Sequence, residues 1–177
     1  MTSGERPVPS AEPRGAGRDA MTGTRKVSSG TAWEPVVGYS RAVAAGDYIF
    51  VSGCTSVAGA DFVHPGDAYA QTAQAIANVR TALESLGAGL SDVVRTRMFV
   101  TDISRFAEVA RAHHEFFAAA PPASTLVEVR RLLLPAMLIE IEADAYRGSA
   151  LGPKALERAK PKMAGKKKSA STSKHHR

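Results

Sequence analysis

Cysteine occurs once in the 177 residues, at position 54, which excludes an internal disulfide and any thiolate metal cluster built by one chain. Cys54 therefore reads as a small buried apolar residue. Tryptophan also occurs once, at Trp33, and aromatics make up only 6% of the chain. No apolar run approaches the roughly 20 residues that a bilayer span needs, and the N-terminus lacks the short apolar segment of a secretory signal, so a soluble, cytoplasmic protein without membrane contact is expected. The sequence contains no phosphate-cradling glycine loop, no HExxH and no GxSxG. His113 and His114 are adjacent, so on a helix they point about 100 degrees apart and cannot grip one metal as an i, i+4 pair would. The spacing of the histidines therefore proposes no metal site.

Acidic residues are scarce at the ends of the chain. Residues 154–177 hold nine Lys/Arg against the single acid Glu157, a net of +8, and residues 1–32 carry a net of +2. The overall charge of +6 thus leaves residues 33–153 at −4. The folded part is acidic, and any weak contact with a polyanion belongs to the Lys-rich tail, where counterion release would drive it.

Bulky apolar residues are almost missing from residues 1–32 and again after Arg147, so neither segment can bury enough surface to offset the entropy of ordering. Three parts are expected: a disordered N-terminal extension over 1–32, one folded domain over 33–147, and a disordered Lys-rich tail over 148–177. Within the domain, Trp33 starts an entry that Pro35 fixes as extended, Val36 to Val43 reads as a strand edge broken at Gly38, and a turn at Ala45, Gly46 and Asp47 leads into the strand Tyr48 to Ser52, with Gly53 ending or bulging it. Gly59 to Gly66 reads as a loop. Asp67 is a candidate N-cap for a helix whose stripe is Ile76, Val79, Leu83 and Leu86. A strand follows over Leu90 to Val100, with Val94, Thr96, Met98 and Val100 on one face and Arg95, Arg97 and Phe99 on the other. Thr101, Asp102 and Ser104 are cap-type residues that open a second helix carrying Phe106, Val109, His113 and Phe116 at helical spacing. His113 reads as a packed, hydrogen-bonded histidine.

The densest chemistry lies in Pro121 to Asp144. Thr125 to Arg131 and Met137 to Ala145 alternate as strands around Pro135, and the second places Ile139, Ile141 and Ala143 on one side with Glu140, Glu142 and Asp144 on the other. Like charges two residues apart on a strand repel, so partner cations, an interface or a ligand would make better sense of them than a free edge, while a solvated polar face is the simpler reading of the pattern alone. If this strand neighbours the one with Arg95 and Arg97, cross-strand ion pairs account for part of the face. An acid left unpaired in a cleft would then position water or move a proton, and an arginine such as Arg97 would hold a substrate carboxylate. Ser52, Cys54 and Ser124 are nucleophile types, but no base stands beside any of them in sequence.

The segments GYSRAVAAGDYIFVSG, AYAQTAQAIANVRTALESLGAGLSDVVRTRMFVTDISRFAEV, PPASTLVEV and IEIEADA resemble the RidA family, also called the YjgF/YER057c/UK114 or L-PSP endoribonuclease group. The resemblance covers Trp33 to Arg147. It implies a chorismate-mutase-like α+β fold, a six-stranded mixed sheet with two helices packed on one face, assembled as a homotrimer with ligand clefts between subunits. It also implies hydrolysis of small enamines and imines to keto acids and ammonia without a cofactor. Carried over by position, Tyr39 matches the cleft tyrosine and Glu140 the glutamate that positions or activates water, while Leu126 replaces a cysteine whose role is largely a backbone one.

The chain departs from the pattern at one decisive point. Deaminating members carry arginine after Pro-Ala, and here Pro122 and Ala123 are followed by Ser124, which offers one neutral hydrogen bond in place of a charged bidentate fork. Ala110 likewise replaces an asparagine of the second helix. Arg97 or Arg41 is then the remaining source of positive charge, and Trp33 with Glu34 the remaining means of shaping a different pocket. Three readings follow: an imine, enamine or carbonyl hydrolase using Glu140, Tyr39 and Ser124; a homologue that binds a carboxylate or carbonyl metabolite without deaminating it; and a protein associated with nucleic acid through its basic tail.

Overall fold

The computed structural model describes residues 23–148 together with the backbone of a two-residue strand, β1 (Gly17–Arg18). The Lys-rich tail and most of the N-terminal extension lie outside the described residues. Along the chain follow β2 (Arg25–Val27), α1 (Trp33–Val37), β3 (Ala42–Ala45), β4 (Tyr48–Cys54), the small hairpin β5 (Val57–Ala58) and β6 (Asp61–Phe62), α2 (Ala68–Glu84), β7 (Val93–Val100), α3 (Phe106–Phe117), β8 (Ala123–Glu128) and β9 (Ile139–Tyr146). Short 3-10 turns at Leu90–Asp92 and Ile103–Arg105 lead into β7 and α3.

The sheet runs β1-β2-β3-β4-β9-β7-β8. All neighbours are antiparallel except β7 and β8, which α3 connects as parallel strands. The expected α+β fold is present: six strands, β2 to β4 and β7 to β9, form a mixed sheet with the helices on one face, and β1 extends its outer edge. The last strand among the described residues, β9, is inserted between β4 and β7. Its alternation explains why it can lie there: Ile139, Ile141, Ala143 and Ala145 face the helices fully buried, while the acids point to the opposite face.

The helix α2 forms as the apolar spacing indicated. The Asp67 side chain accepts from the Ala70 N–H at 2.9 Å, and Ile76, Val79, Leu83 and Leu86 are fully buried in the core. Removing each of these side chains from water is worth about 1.5–3 kcal/mol. Gln71, also fully buried, donates to the carbonyls of His64 and Ala136 and accepts from the Leu138 N–H at 2.8 Å. One amide thereby ties α2 to the loop that delivers β9.

Four local expectations are revised. Trp33 to Val37 is a helix rather than an extended entry and strand edge, closed by Gly38 in the left-handed conformation at φ 80°, which glycine adopts without a Cβ clash. Residues 25–27 pair with β3 and bury Val27, so disorder does not describe the whole of residues 1–32. Order there comes from backbone ladder bonds, which composition does not register. Val94 is exposed because the β7–β9 register shifts between Val93 and Arg95, a bulge that turns Val94 away from the core. The Gly59–Gly66 loop contains the β5–β6 turn. Gly53 does sit at a bulge, between Val51 and Cys54.

Candidate active site

The face of the sheet opposite the helices is where the charged residues of β7 and β9 meet. Antiparallel register sets Arg95 opposite Asp144, Arg97 opposite Glu142 and Phe99 opposite Glu140. Arg97 binds Asp144 at 3.0 Å and Glu142 at 3.5 Å, and Arg95 lies 3.9 Å from Asp144. These partly exposed pairs are worth about 0.2–1 kcal/mol each. Arg97 is thus occupied as a ladder partner, and the expectation that it holds a substrate carboxylate meets a guanidinium already shared by two acids.

Glu140 is left over. It faces a phenylalanine across the ladder, and among the described residues no Lys or Arg forms an ion pair with it. Its carboxylate lies over Gly53 so closely that a Cβ there would sit 1.7 Å from Oε1. The glycine at the β4 bulge is what makes room for the acid. Burial raises the Glu140 pKa, the neighbouring Glu142 carboxylate raises it further, and Arg41 pulls in the opposite direction. A carboxylate of raised pKa, half-buried and unpaired, has the properties of a general base.

A tight cluster forms beside Gly53. Arg41 donates to the Ser52 and Gly53 carbonyls, to Cys54 Sγ at 3.3 Å and to the Tyr39 hydroxyl at 3.0 Å. Its guanidinium lies 5.4 Å from the centre of the Tyr39 ring. Desolvation lowers the Arg41 pKa, but Cys54, Tyr39 and Glu34 outweigh it, so the group is held charged. Arg41 is accordingly spent on fixing Tyr39 and the strand end. Burial pushes the Cys54 thiol up, with Glu140 adding to the rise, so Cys54 stays a protonated core residue despite Arg41 nearby. Glu34 accepts from the Ser28 hydroxyl and from both the backbone and hydroxyl of Ser29; its pKa is lowered, the hydrogen bonds overcoming burial. Trp33 opens α1 with about half of its surface exposed.

Ser124 lies elsewhere. On β8 it pairs with Thr96 and faces the helix side, the opposite face from Glu140. There it lines a groove of about 370 Å³ between α3 and β8, with apolar walls from Met98, Phe106 and Leu126 and polar lining from Ser124, His113 and His114. The Thr96 hydroxyl is fully buried and donates to Ser124 Oγ at 2.9 Å, and it lies 3.0 Å from His113 Nε2. His113 stacks on Phe117 at 4.6 Å, and burial lowers its pKa. One protomer therefore brings Glu140 close to Gly53 and Arg41, with Tyr39 fixed by Arg41, and brings Ser124 together with Leu126, on two different faces. Sequence reasoning passed over three contributors: Gly53 as the space for Glu140, Arg41 as the brace of Tyr39, and Thr96 as the link between Ser124 and His113. The alternation of β7 placed Thr96 on the face opposite Arg95 and Arg97, but only the β7–β8 register pairs it with Ser124.

Comparison with known proteins gives a consistent picture. The endoribonuclease L-PSP family profile matches residues 29–147. The chain is 38% identical over 125 residues to an uncharacterized protein of Streptomyces coelicolor, covering 71% of this chain and 93% of that one. It is 38% identical over 112 residues to the 2-iminobutanoate/2-iminopropanoate deaminase of Escherichia coli K12, covering 62% and 87%. A crystal structure of a YjgF/YER057c/UK114 family member from Mycobacterium tuberculosis superposes with a TM-score of 0.64 at 46% identity, covering 70% of this chain and 98% of that one. With the motifs, the sheet order and these matches in agreement, the chain belongs to the RidA family, the YjgF/YER057c/UK114 or endoribonuclease L-PSP group.

Proposed function

We propose that the protein is a homotrimeric small-molecule hydrolase that acts on an imine, enamine or related carbonyl compound in a cleft between subunits. Glu140 carries this reading. Of three acids on one strand face it is the one without an arginine across the ladder, and its environment raises its pKa. In the reaction, water adds to the C=N carbon as Glu140 accepts its proton. Glu140 passes that proton to nitrogen to give the carbinolamine, then takes the carbinolamine hydroxyl proton and delivers it to the amino group as the C–N bond breaks, so ammonia leaves, the C=O product forms and the carboxylate is restored. Tyr39, held by Arg41, and Ser124 orient the ligand.

Assembly is part of the proposal because Glu140 and Ser124 occupy opposite faces of one sheet. A second copy would set the groove of one protomer against the Glu140 face of the next. The outer face suits a protein interface: Tyr48, Phe50 and Tyr146 are exposed there, with Tyr48 and Tyr146 rings 4.9 Å apart.

A second reading, a metabolite-binding homologue without deaminase activity, is favoured by one observation: the groove around Ser124 contains no arginine or lysine to hold a carboxylate. Lactate-dehydrogenase-coupled assay of freshly generated 2-aminoacrylate separates the two. Pyruvate formation by the wild type that disappears in Glu140→Gln supports the hydrolase. Activity that appears only when Ser124→Arg is introduced supports the binding protein.

A further inference from the structure

The polar side chains that line the α3–β8 groove are Ser124, His113 and His114, and at Ser124 the hydrogen bonding has a defined sense. A threonine hydroxyl has a single hydrogen to give. Thr96 donates it to Ser124 Oγ, so its contact with His113 must be an acceptance from Nε2–H. Burial, which lowers the His113 pKa, suits this neutral, Nε2-protonated ring. The Ser124 oxygen is thus filled from behind, and its own hydrogen has no acceptor among the described residues. Ser124 is exposed, so this hydrogen is available to a ligand in the groove. Around it the walls are Met98, Phe106 and Leu126, and no arginine or lysine lines the space. A carboxylate entering here would lose hydration against apolar walls and meet the neutral Ser124 donor and the His114 ring, but no guanidinium or ammonium to replace that hydration. A carbonyl oxygen needs no more than the bond from Ser124.

We propose that this groove selects an uncharged carbonyl compound over its carboxylate counterpart, with Ser124 donating to the ligand oxygen and the Thr96–His113 pair fixing the direction of that donor. Ser124 and Thr96 are then specificity-determining and positioning residues, respectively. The inference rests on reading the groove as a small-molecule site.

The test is a binding titration of the full chain with methyl isobutyl ketone and with α-ketoisocaproate, which carries a carboxylate where the ketone has a methyl group. The Ser124 amide and the His113 ring nitrogens are followed by NMR. The ketone is expected to bind about tenfold more tightly than the keto acid, a difference of about 1.4 kcal/mol. Ser124→Ala is expected to weaken the ketone about three- to tenfold, the loss of one neutral hydrogen bond, and Ser124→Arg to reverse the preference in favour of the keto acid. Equal or tighter binding of the keto acid by the wild type, unchanged ketone affinity in Ser124→Ala, or no response of either signal to millimolar ketone would overturn the proposal. Because the readout is binding, ketone preference without any imine turnover would leave the inference standing and defeat the hydrolase reading. Wild-type turnover of 2-aminoacrylate, lost in Glu140→Gln, alongside keto-acid preference would do the reverse.

Discussion

Glu140 differs from Glu142 and Asp144 through what stands opposite it, not through its own chemistry. Arginines answer the other two, whereas Phe99 and the bare Cα of Gly53 surround Glu140. Its folded-state pKa is raised, first by burial and then by Glu142, so the sign of its stability contribution is fixed. The contribution is fully present below the unfolded-state pKa and is lost as pH rises through the folded value. Glu140→Gln should therefore melt higher than the wild type at neutral pH, and the gap should close as pH falls toward the ordinary glutamate range. Paired thermal melts across that range check it; a gap that is constant with pH, or a variant less stable at neutral pH, would contradict the environment described for this acid. That three acids share one face was legible from alternation alone. Which one remains unpaired was not, because register between β7 and β9 is a tertiary property set by a bulge.

Among the elements, β9 is positioned by its neighbours and by one side chain outside the sheet. Gln71 on α2 satisfies the Leu138 N–H and the Ala136 carbonyl just before β9 begins, two residues ahead of Glu140. Gln71→Leu removes the hydrogen bonds that this fully buried side chain makes to those backbone groups, at a cost of about 1–3 kcal/mol. Chemical denaturation should show that loss, and the denaturant slope should remain unchanged if only the native contact is removed. The helix α2 itself was readable from its stripe and from Asp67, and β4, β7 and β9 were readable from β-branched alternation. The weakest reading was Trp33 to Val37. Two valines and a proline favour an extended chain locally, but Glu34 is held by Ser28 and Ser29, and Gly38 closes a helical turn. Ser28 and Ser29 directly follow β2, which is itself held by pairing with β3.

At the level of the whole molecule, the two halves of the proposed site lie on opposite sides of one sheet, and the proposed cleft needs a second copy to bring them together. Sedimentation of the full chain should give three chain masses, and Phe50→Asp, which places a charge among Tyr48 and Tyr146 on the outer face, should shift the protein toward monomer. A wild type that sediments as a monomer would remove the means of completing the cleft. The family resemblance supplied the expectation of a trimer; the geometry shows only that Ser124 and Glu140 lie on opposite faces of one sheet. The most direct measurement is an isotope-filtered NOE spectrum on a mixture of labelled and unlabelled full-length chains. Intermolecular contacts between the Leu126 methyls of one protomer and the Tyr39 ring of another are the predicted result, whereas an oligomer showing no contact between the α3–β8 groove and the Tyr39–Glu140 face would contradict the shared cleft.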